Sequence, residues 1–223
     1  MTSPGESGRL VIVGAGGLGR EALAAVRAAG GGDPAGFVDD GPGLAGTTVD
    51  GVPVLGGIDL LAGGGAGDGA HALVCTGRPG ATTSRVTISE RLAAGGIPFA
   101  TVVHPTASLA PGTVIGAGSL LLAQVVTTAP IAVGDHVVVM PQCVFTHDDV
   151  IGDYTTFGAG VRLAGGVVVE RGAYVGSGAL VREHRTVGAG ALVGMGAVVT
   201  RDVPAGEVWA GSPARRLSDA VAP

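Results

Sequence analysis

The chain has 223 residues, 46% of them hydrophobic and 14% charged, which excludes a disordered protein and leaves room for one large domain or two small ones. Its net charge of -5 gives no electrostatic footprint for nucleic acid, and its apolar runs, such as residues 119–123, fall far short of the roughly 18 residues of a membrane span. With no charged-then-apolar signal at the start, a soluble, cytoplasmic protein is expected.

Cys75 and Cys143 are too few for a disulfide framework and lack metal-ligand spacing, so they read as two buried thiols, and no metal is expected. There is no lysine, so any phosphate has to be met by arginine, backbone amides or a helix terminus. Glycine, at 43 residues in an apolar chain, suggests a repeat fold.

In chain order, a polar start leads into Leu10 to Val13, a buried strand, and then into Gly14-Ala-Gly16-Gly17-Leu18-Gly19 and an alanine-rich helix reaching about Ala29. A second strand, Gly36 to Val38, ends at Asp39, 20 residues beyond Gly19. This is the dinucleotide-binding fingerprint in its strand-turn-helix setting. Only about 100 residues precede the repeat described next, with strands near Val52, Ala72 to Cys75 and Phe99, so the α/β half is half of a two-part dinucleotide fold and suits a mononucleotide. The glycines let the backbone approach a diphosphate at the helix N-terminus, and Asp39 or Asp40 is placed to accept hydrogen bonds from a base or ribose. The alternative is a tight turn that binds nothing.

Stepping by six from Val103 to Val199 meets a large apolar residue at every position except Thr127. The following position is glycine at 116, 134, 152, 176, 188 and 194, and the position two before is mostly Ala, Ser, Thr, Cys or Val. A helix cannot bury a strict six-residue period on one face, whereas three short flat strands per 18-residue coil can. Small residues and glycine are expected at the corners. Successive coils stack as parallel strands about 4.8 Å apart, so residues 18 apart form columns along a prism of about five and a half coils.

With this repeat the chain resembles the hexapeptide-repeat acyltransferases, whose prisms coil left-handed. The tail from Trp209 to Arg215 looks like their closing segment, where the chain leaves the prism beside the acyl-CoA and where Arg215 and Arg216 are placed to meet its phosphates. An α/β half joined to such a prism resembles the bacterial sugar acyltransferases that include sialic acid O-acetyltransferases and UDP-amino-sugar N-acetyltransferases. The matching segments are residues 13–21, 36–40, 52–56, 104–107 and 147–154. The resemblance implies an α/β nucleotide-sugar-binding domain over 1–100, a left-handed β-helix acyltransferase domain over 101–204 and a CoA-side tail over 205–223. It places Gly16, Gly17, Leu18, Asp39, Asp40 and Gly77 on the nucleotide-sugar site. Leu18 departs from the histidine common in the family and cannot hydrogen-bond a sugar or phosphate.

His147 follows the inward Phe145 by two places, so it projects outward, and Asp148 comes next. In the family such a His-acid pair is the general base and the group that orients it, as suits removal of a proton from an amine or hydroxyl attacking a thioester. Gly165 lies one coil above His147, where a bare backbone N–H is placed to stabilise an oxyanion and touch the thioester. The resemblance implies a homotrimer with acetyl-CoA, or another acyl-CoA, in the groove between prisms, on Thr156, Gly165, Ser177, Met195 and Arg215. Ser177 and Met195 are 18 apart and share a column, and Thr156 replaces another family histidine. His104 reads as a turn residue, and His71, His136 and His184 as surface groups.

Asp149 and Arg185 both fall on the small inward position and share a column two coils apart, so a direct pair would need Arg185 to reach down. Either is a candidate to shape the acceptor pocket. The expected function is acyl transfer from acyl-CoA to an amine or hydroxyl of a sugar or nucleotide-linked sugar. The competing readings are an acyltransferase on a non-sugar small molecule, a non-catalytic trimeric scaffold, and a zinc enzyme of the carbonic anhydrase type, for which the histidine spacings supply no facing set.

Overall fold

A computed structural model describes residues 10–63, 69–77 and 83–220; the polar start and the last three residues of the tail lie outside them. These residues fall into two compact units, one running to Gly77 and taking in Thr83–Pro105, the other from Thr106 onward. Among the described residues no helix is long and apolar enough to cross a membrane.

The first unit is a sheet with helices. Its elements are β1 (Leu10–Val13), α1 (Gly17–Ala28), β2 (Gly36–Val38), β3 (Thr48–Val49), β4 (Val52–Gly56), α2 (Asp59–Ala62), β5 (His71–Val74) and α3 (Thr83–Ala94). The order is β3-β4-β2-β1-β5, with β4, β2, β1 and β5 parallel and β3 turned back on β4 as a hairpin. A parallel bridge from Ala72 to Phe99 extends the β5 edge. Val11, Ile12 and Val13 are fully buried, as a central parallel strand covered on both faces requires. Helix α1 buries Gly19, Ala22, Leu23, Ala25 and Val26, one face at helical spacing. It ends where Gly30 takes φ +75° and its N–H bonds the Arg27 carbonyl. Because β1, β2, β4 and β5 run in parallel, the turns after them open at one edge of the sheet. From β1 the chain adds β2 and β4 on one side and β5 on the other, so the strand order reverses between β1 and β5, the switch point where ligands of open α/β sheets bind.

The second unit is the expected prism, a parallel β-helix. Two-residue strands recur every six residues and pair with strands 18 away, as in Val114, Ala132, Val150, Val168 and Thr186 along one face. From Leu121 to Val199 the sixth-position residues are all buried, Thr127 included, and the small position two before each is buried throughout apart from Arg185, which is half-buried. Thr127 is satisfied there, its hydroxyl accepting the Ala110 N–H at 2.8 Å. Phe145 and Phe157 meet edge to face at 4.9 Å inside. The tail forms a hairpin on the last coil: Glu207–Gly211 runs parallel to Leu192–Val193, and Ala214–Asp219 returns antiparallel.

The corners differ from expectation. The left-handed corner residue lies three places after the inward apolar one, and it is often not glycine: Gln124, His136, Gln142, Asp148, Tyr154 and His184 all have positive φ. The glycines that directly follow the inward residue serve close stacking instead. A Cβ on Gly152 would lie 2.7 Å from the Arg171 amide nitrogen, and one on Gly176 2.7 Å from that of Met195, both in the next coil. His136 corrects another expectation, because it is 6% exposed rather than a surface group. Its ring fills the space left by the bare Gly118 and stacks on Tyr154 at 4.9 Å, while the Arg171 guanidinium lies 4.4 Å from the Tyr154 ring centre.

Candidate active site

The corner from Thr146 to Asp149 concentrates the chemistry of the prism. Asp148 has φ +63°, a conformation Asp adopts more readily than most residues, and this turns its carboxylate back on its neighbour. Its Oδ2 lies 2.8 Å from His147 Nδ1. Donation from Nδ1 leaves Nε2 as the acceptor, the tautomer a general base needs. Both side chains are exposed, so the pair adds little to stability and its value is orientation.

The other edge of the imidazole lies against Gly165. A Cβ there would overlap His147 Cε1 and Nε2, so glycine is required first to seat the ring. Gly165 is buried beneath it, and its N–H donates to nothing among the described residues. The Gly166 N–H holds the His147 carbonyl at 2.9 Å.

Asp149 and Arg185 do not pair. Asp149 is 2% exposed and accepts the N–H groups of Thr146 at 2.8 Å and Val167 at 2.9 Å, while burial pushes its carboxyl up to about 6. Arg185 turns to Asp202 Oδ1 at 3.3 Å and to the Glu183 carbonyl. A two-coil reach is longer than either nearer bond, and backbone donors already satisfy the acid. Sequence reasoning marked Asp149 as an oddity but did not find its partners, since no period reports where a backbone N–H is left over.

The remaining prism residues form no single cluster. Ser177 and Met195 share a column, with the Gly196 N–H on the Ser177 carbonyl at 2.9 Å, and Met195 is 78% exposed, the largest exposure among the large apolar side chains of the described residues. A Cβ on Gly158 would crowd the Ser177 amide, so Ser177 lies against Gly158, which follows the half-buried Thr156 by two residues. Arg215 donates to the Ala214 carbonyl at 2.8 Å and makes no ion pair among the described residues. Arg216 is taken up by Glu207 and Asp219, so of the two tail arginines Arg215 is the one without an acidic partner among the described residues.

In the α/β unit the glycine loop divides its labour. Gly14 has φ +104°, and a Cβ on it would lie 2.8 Å from the Cys75 carbonyl; one on Gly19 would overlap the Gly14 carbonyl. Those two glycines let strand and helix pack. Gly16 and Gly17 have nothing within 4 Å of a Cβ and face open space at the α1 N-terminus, which has no side-chain cap. Leu18 is half-buried behind them. Asp39 is committed to the fold: its oxygens accept Ala15 N–H at 2.7 Å and Gly41 N–H at 2.8 Å. Asp40 accepts Ile58 N–H at 2.8 Å through Oδ1. Gly77, exposed with φ +135°, leaves β5 at the same edge. Sequence reasoning missed Arg85, which is 1% exposed on the inward face of α3. Its charge opposes the burial that pushes the Cys75 thiol up to about 12.

Residues 9–76 match the PglD N-terminal domain family. Over 95% of its length the chain superposes on the whole acetyltransferase domain of PglB from Neisseria gonorrhoeae, solved with acetyl coenzyme A, at TM-score 0.85 and 31% identity. The chain belongs to the hexapeptide-repeat sugar acyltransferases. PerB from Caulobacter crescentus, solved with CoA and GDP-perosamine, matches at TM-score 0.85 and 31% identity over 95% of this chain and 98% of that one. GDP-perosamine N-acetyltransferase of Escherichia coli O157:H7 is 34% identical over 99 residues, 44% of this chain. The chain spans 45% of that curated relative. It spans 26% of a second, mitochondrial γ carbonic anhydrase 1 of Arabidopsis thaliana, at 39% identity over 88 residues. Among the described residues no group of three or more His, Cys, Asp or Glu is arranged to hold a metal. The family's fold is the one described above, an α/β unit and a left-handed parallel β-helix.

Proposed function

We propose that the chain transfers an acetyl group from acetyl-CoA to the amine of a nucleotide-linked amino sugar, with His147 as general base. One observation carries the reading: the His147 imidazole, bonded to Asp148 through Nδ1, is seated on Gly165 with Nε2 left to accept a proton. Acetyl-CoA supplies the thioester carbonyl that the amine attacks. His147 takes the proton the amine loses as the C–N bond forms, Asp148 stabilises the imidazolium, and the unspent Gly165 N–H faces the carbonyl oxygen as it gains charge. The proton then passes to the departing thiolate, so the products are an amide and free CoA. The Ser177–Met195 column and Arg215 hold the CoA in a homotrimer groove, and the α1 N-terminus with Gly16, Gly17, Leu18, Asp40 and Gly77 receives the nucleotide, while Asp39 keeps that loop in shape. The relatives solved with acetyl coenzyme A and with GDP-perosamine support this choice of donor and acceptor and favour an amine over a hydroxyl.

The test is thiol release from acetyl-CoA against GDP-, UDP- and CMP-linked amino and hydroxy sugars. Release is expected with an amino sugar, falling about 10²- to 10⁴-fold in His147→Ala. Gly165→Ala, which unseats the ring, is expected to fall about 10²-fold while melting within a few degrees of wild type. Activity that survives in His147→Ala would remove the histidine from the mechanism. Activity on hydroxy sugars alone would make the enzyme an O-acyltransferase.

A further inference from the structure

Asp149 lies buried beside His147 and has no part in the chemistry above. It sits at the small inward position of the repeat, where the chain otherwise places residues such as Ser119, Cys143, Thr155 and Ala173. Ser119 shows what a small polar residue does there: its hydroxyl accepts the N–H of Val137, 18 residues on, at 2.9 Å and donates to the Gly134 carbonyl at 2.9 Å. Asp149 makes the first contact, through Oδ1 to the N–H of Val167, 18 residues on. It adds one that Ser119 lacks, through Oδ2 to the Thr146 N–H in its own corner. The Thr146 hydroxyl is buried with no hydrogen-bond partner among the described residues, so it does not anchor the corner to them. The next hold on the corner is the Gly166 N–H on the His147 carbonyl. The backbone on either side of the His147 side chain is therefore fixed to the coil that carries Gly165, once through Asp149 and once through Gly166.

We infer that Asp149 is a positioning residue for the proposed base, its carboxylate clamping the Thr146–Asp148 corner to the coil above so that the imidazole stays on Gly165. The consequence for rate rests on the acyltransfer reading; the geometry does not. Coil stacking alone does not account for an acid here, since Ser119 meets that need with a neutral hydroxyl and a buried carboxylate is costly. The charges that act on Asp149 are its corner neighbours His147 and Asp148, with opposite effects. The coils below and above present the apolar Ile131 and Val167, and Arg185 is turned away to Asp202.

Asp149→Ser keeps a hydroxyl for Val167 and abandons Thr146. The expected result is a fold that melts near wild type, kcat at least tenfold lower, KM for acetyl-CoA within twofold, and a crystal structure of the full chain with the His147 ring moved off Gly165. Asp149→Asn, the isosteric variant, loses one of the two acceptors and is expected to behave alike if serine fails to fold. A ring that stays on Gly165, or an unchanged kcat in an enzyme that still needs His147, overturns the inference. If His147→Ala proves fully active the acyltransfer reading fails instead, and the ring position in Asp149→Ser still decides the clamp.

Discussion

The two units use glycine differently. In the prism a glycine's role follows from its place in a six-residue period: where it directly follows an inward residue it makes room for the next coil, and at Gly165 the same stacking makes room for an imidazole. In the α/β unit four glycines within six residues have unlike roles, Gly14 and Gly19 packing strand against helix, Gly16 and Gly17 facing open space. A repeat makes every departure visible, whereas a single loop has to be resolved atom by atom. The proposed site accordingly uses breaks of the period in one unit and the residues that pack least in the other.

The hardest way to break this contrast is Gly19→Ala. The new methyl overlaps the Gly14 carbonyl, backbone against backbone, so neither side can swing aside. A loss of more than about 3 kcal/mol is expected, confined to the α/β unit. Hydrogen exchange should show β1 and α1 opening while the prism amides between Leu120 and Val199 stay protected. Uniform loss of protection in both units would make glycine's role at 19 no more local than in a coil.

How far each unit was legible follows from the same contrast. Sixteen strands of the prism and the 147–165 column were readable because period alone fixes them. The seat of the imidazole on Gly165 was half-legible: the column was expected, the overlap was not. Asp149 stood out as an offence against the period, yet its partners are backbone N–H groups, which no sequence pattern displays. His136 was misread because it is buried by corner stacking, outside the inward positions where apolar patterning reports burial. In the α/β unit the fingerprint was visible, but the commitment of Asp39 to Ala15 and Gly41 depends on loop geometry that spacing does not encode.

A smaller effect sharpens the prism side. Asp149 protonates at about 6 in the folded chain, above the ordinary carboxylate value, because burial outweighs its two backbone bonds. The folded state therefore binds this proton more tightly than the unfolded state. Its contribution to stability is fully present below about pH 4 and is lost as the pH rises through about 6, a change of about 3 kcal/mol. Denaturant melts at pH 4.5, 6 and 7.5 should show this slope in wild type and a flatter one in Asp149→Ser. The variant should then be no less stable than wild type at pH 7.5, as expected of a residue kept for positioning at some expense to the fold. Equal slopes in both proteins would mean that Asp149 ionises as an ordinary surface acid.

The smallest effect tests the α/β side where its packing is slack. Gly16→Ala puts a methyl into open space and at a negative φ, so stability should change by no more than about 0.5 kcal/mol, against the large loss at Gly19 three residues away. If the loop receives a diphosphate, the methyl stands between the phosphate and the uncapped first turn of α1. KM for the nucleotide sugar should then rise about tenfold, roughly 1.4 kcal/mol, with kcat at saturation and KM for acetyl-CoA unchanged. The split between the two KM values is the informative part, because damage to the whole enzyme would move both. An unchanged nucleotide-sugar KM would assign Gly16 to the turn alone and move the diphosphate to another part of the crevice, where Gly77 leaves β5.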